Sequence, residues 1–148
     1  MQRLNLLGFI PFRLNRLAAE LSTELSSVYA DRFGVDIIEW RILATLSSFE
    51  PCTAQAIANS TRTHKSRISR GVSRLTDANL IIGRRDDEDA RAVTLIRTAK
   101  GRALYENMVP LVLEKEQTVM QCLNARERRS FESALSKLEH SLDLEREI

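Results

Sequence analysis

Cationic side chains are concentrated in residues 62–74, where five residues are arginine or lysine and none is acidic. Guanidinium and ammonium groups bind phosphate, and arginine also reads the edge of guanine. At about 3.6 residues per turn, Arg67, Arg70 and Arg74 share one face of a helix. The apolar residues that would attach this helix to a core lie on the opposite face: Ile68, Val72 and Leu75. The segment therefore predicts a helix with outward cations, although a merely solvated basic surface is the alternative.

The start of this helix is the part that would meet DNA most closely. Thr63 is predicted to be the N-cap, so that His64, Lys65 and Ser66 begin the first turn. Free backbone N–H groups in a first turn favour a phosphate. Side chains there reach base edges when a recognition helix enters the major groove.

A short hairpin follows the helix. Residues 80–82 and 92–96 have strand propensity, and the segment between them carries Arg84, Arg85 and Arg91 around acidic residues 86–89. Such a ribbon can lay an arginine into the minor groove while the helix occupies the major groove. We expect Arg91 to take this position and Asp89 to orient it. The helix and the hairpin together predict a winged helix-turn-helix.

The predicted DNA contacts all lie in and around these two elements: Arg62, Thr63, His64, Lys65, Ser66, Arg67, Ser69, Arg70, Arg74, Arg84, Arg85 and Arg91. Ser66, Arg67 and Arg70 are the expected base readers. Arg74 and Arg84 are expected to hold phosphate.

The distribution of charge agrees with a polyanionic partner. The chain has 148 residues and a net charge of +2, but residues 60–100 carry ten basic and five acidic side chains, a net charge of +5. No apolar run approaches the roughly 18 residues that a membrane span needs. The apolar start of the chain is not followed by a cleavage site. We therefore expect a cytoplasmic protein without a membrane segment.

The sequence indicates neither catalysis nor a cofactor. It contains no nucleophile–base–acid combination, no phosphate-binding loop and no set of metal ligands. Cys52 and Cys122 lack a CxxC pattern, and His64 and His140 are not spaced to join them around a metal. We expect two buried or inert thiols, with a thiol-based redox switch as the alternative.

Local signals predict a mainly α fold with a small β-hairpin, in the order α-α-α-α-β-β-α-α. Pro11 and Gly34 mark the two ends of the first helix. Asp36 and Asn124 each open a capping-box spacing, which starts the second and the last helix. A short helix is predicted at residues 53–59, and a long one from Thr98 to about residue 122.

We expect a single domain over residues 1–148. Residues 36–98 would form the winged helix-turn-helix lobe, and residues 1–34 and 99–148 the dimerisation helices. The apolar stripes of the terminal helices have no obvious partner in the small lobe, so we expect them to pack across a two-fold axis. Such a dimer would present two basic helices about 34 Å apart, one turn of DNA, and would bind a palindrome.

The sequence resembles the MarR family of bacterial transcription regulators over nearly its whole length. Residues 65–75, KSRISRGVSRL, are similar to the recognition helix of the family, and residues 89–93, DARAV, with Thr98 and Gly101, are similar to its wing. Arg91 keeps the position of the minor-groove arginine. Four positions depart from the family pattern: His64 for Asp, Asn79 for Gly, Ala90 for the first wing Arg, and Arg97 for Leu.

The resemblance implies a dimer with intertwined terminal helices and a small-molecule pocket between the dimer region and the DNA-binding lobes. In most members a ligand disfavours the spacing that fits DNA, which implies a repressor. Residues 6–17 resemble members that control aromatic-acid breakdown, so a phenolic acid or an aromatic CoA thioester is the implied effector. Arg13 and Arg16 could pair with its carboxylate or phosphate, or could be surface or interface residues. The candidate ligand contacts are Phe9, Arg13, Arg16, Tyr29, Trp40 and Arg41.

The leading hypothesis is a ligand-responsive regulator that binds a palindromic operator as a homodimer. An architectural or nonspecific DNA-binding protein is the alternative, because it would use the same basic surface without needing a pocket. The effector, the operator, the regulated genes and the choice between repressor and activator do not follow from the sequence.

Overall fold

The chain folds into helices and a small sheet over the residues that the computed structural model describes, which are 3–85, 87–89 and 91–144. After a 3-10 turn at Leu6–Gly8, the elements follow in this order: α1 (Ile10–Phe33), α2 (Ile37–Phe49), β1 (Cys52–Thr53), α3 (Ala54–Ser60), α4 (Lys65–Asp77), β2 (Ile81–Arg85), β3 (Val93–Arg97), α5 (Ala99–Met120) and α6 (Ala125–Ser141). The predicted mainly α fold with a β-hairpin wing is confirmed.

The helices begin and end at the predicted local signals. Pro11 lies in the first turn of α1, and Gly34 ends that helix in the left-handed conformation, with φ of 64°. Asp36 and Asn124 each form both hydrogen bonds of a capping box, at the starts of α2 and α6. Thr98 is the N-cap of α5. These boundaries depend on residues within one turn of each other, which is why the sequence predicts them.

The sheet has three antiparallel strands in the order β1-β3-β2. β2 and β3 form the predicted hairpin, in which Ile81 lies opposite Arg97. The sequence prediction missed β1, which pairs Cys52 with Leu95 of β3. A strand of two residues is too short to show an alternating pattern, so only its partner in space identifies it.

The core lies where α2, α3 and α4 meet the sheet. Its largest fully buried side chains there are Ile42, Leu43, Leu46, Ile57, Ile68, Leu75 and Ile81. Gly71 lets α4 approach α2, because a Cβ at this position would lie 2.7 Å from Ile42 Cδ1 and 2.9 Å from Ile38 Cγ2. The recognition-helix candidate α4 therefore packs closely against α2.

The long helices are joined to this lobe through α1 and α5, which pack along each other. Lys115 Nζ lies 2.8 Å from Glu24 Oε2 between the two helices. The rings of Tyr29, Trp40 and Tyr105 stack in series, with centroid distances of 5.3 and 5.5 Å. Since these rings come from α1, α2 and α5, the stack connects the lobe to both long helices.

The first half of α1 and the whole of α6 bury little within one chain. α6 spans 17 residues and none of them is buried. Large apolar side chains of these segments, of the 3-10 turn before α1 and of the C-cap of α6 are exposed to solvent: Leu7, Ile10, Leu14, Leu17, Leu138 and Leu142. Even so, none of the described helices is long and apolar enough to cross a membrane.

The two cysteines differ in their surroundings. Cys52 is half-buried, and burial followed by the nearby Glu50 carboxylate raises the pKa of its thiol, which disfavours the reactive thiolate. Cys122 is exposed just after α5, so of the two thiols predicted to be buried or inert this one is not buried.

Candidate nucleic-acid interface

α4 is attached to the lobe by one face and exposes the other. Ile68 and Leu75 on the attached face have exposures of 0% and 1%. The exposed residues include every contact predicted within the helix: Lys65, Ser66, Arg67, Ser69, Arg70 and Arg74. The prediction of an outward cationic face is confirmed.

The N-cap of α4 is His64, and the prediction that Thr63 has this role is wrong. Thr63 is buried, with 7% exposure. Its hydroxyl accepts a hydrogen bond from Arg41 Nη1 at 3.2 Å and donates one to the Thr61 carbonyl at 3.2 Å. Because both bonds turn the side chain into the protein, Thr63 supports the turn before α4 and does not present its hydroxyl at the surface.

His64 caps the helix with its ring. Its Nδ1 accepts the Ser66 N–H at 3.2 Å and lies 2.8 Å from Ser66 Oγ. The residue itself is exposed. Arg62, two positions earlier, is also exposed and adopts φ of 52° in the turn that joins α3 to α4. Basic and polar side chains therefore surround the amino end of α4.

Arg74 is paired within the chain. Its Nε donates to Glu39 Oε1 at 2.8 Å, and its Nη2 donates to Asp36 Oδ2. These carboxylates are the two halves of the capping box of α2. The bond to Glu39 and the negative charges of both residues raise the pKa of Arg74. Arg74 therefore ties α4 to the start of α2, and its guanidinium is already occupied.

The other cations of α4 are not occupied in this way. Lys65, Arg67 and Arg70 form no ion pair with any described residue. They share an exposed surface without a carboxylate of their own helix, since Asp77 at its end is the one acidic residue of α4. This surface favours an anionic partner.

The hairpin places three more arginines at the surface. Arg84 and Arg85 end β2, Arg91 lies shortly before β3, and all three are exposed. Two residues that the sequence analysis assigned to the tip and the wing pattern, Asp86 and Ala90, lie outside the described residues.

Asp89 acts on Arg91 through the backbone. Its Oδ1 accepts the Arg91 N–H at 3.0 Å, and its carbonyl accepts the Ala92 N–H at 2.9 Å. Asp89 therefore orients Arg91 by holding its main chain in a turn. No bond to the Arg91 guanidinium accompanies it among the described residues.

The base of the wing is fixed by an ion pair that sequence reasoning missed. The Arg97 N–H donates to Glu50 Oε2 at 2.8 Å, and its guanidinium donates to both oxygens of that carboxylate at 3.1 Å. These bonds hold the pKa of Glu50 below its usual value. The Arg97 guanidinium also lies 5.4 Å from the ring centroid of Tyr105. The only sequence signal was the departure from the family pattern at Arg97.

Asn79, a second departure from the family pattern, is compatible with the turn that leads into the wing. Its φ is 57°, a region that asparagine tolerates better than most residues other than glycine. Its carbonyl accepts the Thr98 hydroxyl at 2.7 Å. The turn is therefore held to the start of α5.

The candidate ligand residues fall into two separate groups. Arg13 and Arg16 line an open groove of about 670 Å³ between α1 and Phe131 of α6. The rest of its lining is mostly apolar: Leu7, Ile10, Leu14, Leu17 and Glu20. Tyr29 and Trp40 lie instead in the aromatic stack, and Arg41 bonds to Thr63. Phe9 is exposed and does not line the groove. One chain, as far as it is described, does not assemble the six residues into one pocket.

The described ranges contain no group of three or more histidine, cysteine or acidic side chains that could hold a metal ion.

Comparison with known proteins gives one consistent result. Residues 33–92 match the sequence model of the MarR family. A MarR/EmrR family transcriptional regulator from Acinetobacter sp. ADP1 is 28% identical, with a TM-score of 0.82 over 95% of this chain and 99% of that one. No curated protein matches the sequence.

Two further solved structures are similar to this chain. Bordetella bronchiseptica BpsR, whose DNA binding is regulated by 6-hydroxynicotinic acid, is 22% identical, with a TM-score of 0.80 over 93% of this chain and 98% of its own. Staphylococcus aureus MepR in complex with DNA is 20% identical, with a TM-score of 0.73 over 90% and 96%. The fold is that of MarR-family transcriptional regulators, which are not enzymes, and the resemblance drawn from α4 and the wing is confirmed.

Proposed function

We propose that this chain, a winged-helix protein of the MarR type, is a cytoplasmic transcriptional repressor that binds a palindromic operator as a homodimer. The observation that carries the proposal is the exposed cationic face of α4, whose opposite face is buried in the lobe. A helix held in this way can enter the major groove without unfolding any part of the core.

The contacts of the described residues refine the predicted DNA-binding set. Lys65, Arg67 and Arg70 are available for bases and phosphates, because no described carboxylate pairs with them. Arg84, Arg85 and Arg91 of the wing are exposed, and Arg91 would reach the neighbouring minor groove while Arg84 would hold phosphate. Thr63 and Arg74 are engaged inside the chain, so we assign them to the support of α4 rather than to DNA.

The homodimer would cover the exposed apolar surface of the terminal helices, here defined as the side chains of Leu7, Ile10, Leu14, Leu17, Leu138 and Leu142. A patch of this kind is costly to leave in water and fits a second copy of the same surface. Two lobes related by a two-fold axis would place their α4 helices on successive turns of DNA.

The effector would be a small aromatic acid or its CoA thioester. In one chain the groove that holds Arg13 and Arg16 has a volume of about 670 Å³, within the range of small-molecule sites. Its apolar lining residues Leu7, Ile10, Leu14 and Leu17 belong to the surface assigned to the dimer, so an effector there would lie at the dimer interface beside the two guanidinium groups. The Bordetella protein with the same fold is regulated by 6-hydroxynicotinic acid. Release would require the ligand to prefer a dimer geometry that does not fit the operator, since a ligand with equal affinity for both geometries shifts nothing.

Binding of the wild-type protein to the promoter of its own gene tests this function. We expect fluorescence anisotropy to show at least about 1,000-fold tighter binding than to random DNA of the same length. The double variant Arg67→Ala/Arg70→Ala should lose this binding. Arg32→Ala is the matched control, because this exposed arginine lies at the end of α1, away from α4. Equal affinity for both DNAs would overturn the proposal and indicate a nonspecific binder.

A further inference from the structure

The ring that caps α4 carries a fixed hydrogen-bond polarity. His64 Nδ1 accepts the Ser66 N–H at 3.2 Å. A backbone N–H can only donate, so Nδ1 must hold a lone pair. A neutral imidazole has one N–H, which is therefore on Nε2.

The Ser66 hydroxyl has its direction set by the same contact. Its Oγ lies 2.8 Å from His64 Nδ1, so with Nδ1 as the acceptor the hydroxyl hydrogen points to the ring and shares the Nδ1 lone pair with the Ser66 N–H. The lone pairs of Oγ remain free, which makes Ser66 an acceptor toward any partner outside the protein. The exposed amino end of α4 thus combines an N–H donor at His64 with an oxygen acceptor at Ser66.

We propose that His64 is a specificity-determining residue whose Nε2–H donates to the N7 of a purine in the major groove. Purine N7 is an acceptor on the groove edge of both adenine and guanine, so the residue would distinguish a purine from a pyrimidine at one base pair of each half-site. Residues at the amino end of a recognition helix are the ones that reach base edges. This inference rests on the proposed DNA-binding function.

A phosphate oxygen is the competing acceptor for the same N–H. It would give affinity without sequence preference. We assign the N–H to a base edge because His64 is the N-cap of α4, directly before the exposed residues that are the predicted base readers.

The tautomer can be measured without DNA. Nitrogen-15 NMR of the neutral imidazole in the free protein should show His64 protonated at Nε2, with Nδ1 as the acceptor. His64→Ser assigns the signals, because His140 is the only other histidine of the chain. A His64 ring protonated at Nδ1 would overturn the inference while leaving the proposed function untouched.

The contact itself is tested by coupling a protein change to a base change. His64→Ser keeps an effective N-cap but removes the ring donor. Replacing each purine of the wild-type operator in turn by its 7-deaza analogue removes a single N7 acceptor. At one position in each half-site, we expect the analogue to weaken wild-type binding about fivefold and to leave His64→Ser unaffected.

The outcomes separate the two proposals. If His64→Ser keeps every sensitivity to 7-deaza purines that the wild type has, His64 does not read N7 and the inference fails alone. If the variant instead loses sensitivity to an uncharged methylphosphonate linkage, the acceptor is a phosphate and the inference also fails. A wild-type protein that selects no operator from random DNA would overturn both proposals. Circular dichroism should show unchanged helix content in His64→Ser, and the alternative cap His64→Asn provides a second folded variant.

Discussion

The winged-helix lobe buries its apolar side chains within the chain, whereas the terminal helices leave many of theirs exposed. α4 has 13 residues and buries Ile68, Gly71 and Leu75 against its own chain. α6 has 17 residues and buries none. The lobe therefore contains its own core, whereas the terminal helices require another surface. Under the proposed function, this difference would let α4 keep its place in the lobe while a ligand changes the distance between the two lobes of a dimer.

The largest expected effect comes from breaking the apolar surface of the terminal helices. Leu14→Glu/Leu138→Glu places two charges on it, which should prevent a second copy from packing there. We expect a monomer by light scattering and at least about 100-fold weaker operator binding, because each molecule then holds only one half-site. Phe49→Glu is the control, since Phe49 is similarly exposed at 46% but lies at the end of α2. A double variant that remains dimeric would contradict the assignment of this surface.

A substitution inside the lobe should reduce stability rather than assembly. Leu46→Ala removes a side chain with 0% exposure and is expected to lower the free energy of unfolding by about 3 kcal/mol. The counterpart Leu142→Ala, on a side chain with 67% exposure, should change it by less than about 0.5 kcal/mol when measured in the monomeric double variant. Urea denaturation provides both values, and equal losses would remove the contrast between the two regions.

The ion pair at the base of the wing should make the lobe sensitive to acid. Arg97 lowers the pKa of Glu50 from its usual value of 4.5, so the stabilisation is present above that value and is lost as the pH falls through the lower folded-state pKa. Glu50→Gln should cost about 2 kcal/mol at neutral pH. It should also flatten the acid limb of the stability profile, so that the two proteins converge below pH 4.5. Parallel profiles would mean that Glu50 does not cause the acid sensitivity.

The smallest effect is expected at Arg74. Its measurement distinguishes an arginine that supports α4 from one that contacts DNA. Arg74→Ala should leave the slope of log affinity against log salt concentration unchanged, because the guanidinium pairs with Asp36 and Glu39. Arg70→Ala should lower that slope by about one unit if Arg70 touches a phosphate. A slope reduced equally by both variants would restore Arg74 to the DNA-contact set.

Much of the lobe was predictable because its signals are local. The capping box at Asp36 joins residues three positions apart, as does the one at Asn124 in the terminal helices. The buried face of α4 repeats within single turns, and the hairpin strands are adjacent in sequence. The cationic surface followed from the same periodicity.

Two of the errors concern contacts between distant residues. Thr63 has the right residue type for an N-cap, but its bond to Arg41, 22 positions earlier, turns it inward. β1 exists only through its pairing with β3. The set of ligand residues stays a prediction, and within one chain Arg16 lies on the groove while Tyr29 lies in the aromatic stack.

The sequence by itself therefore determined the helices, the hairpin and the sign of the charge that α4 presents, because these depend on neighbours within a few residues. Only the tertiary structure decided which arginines are free. Arg74 is paired across 35 and 38 positions and Arg97 across 47. A guanidinium looks the same at each of these places in the sequence, and its role depends on the carboxylate that the fold brings to it.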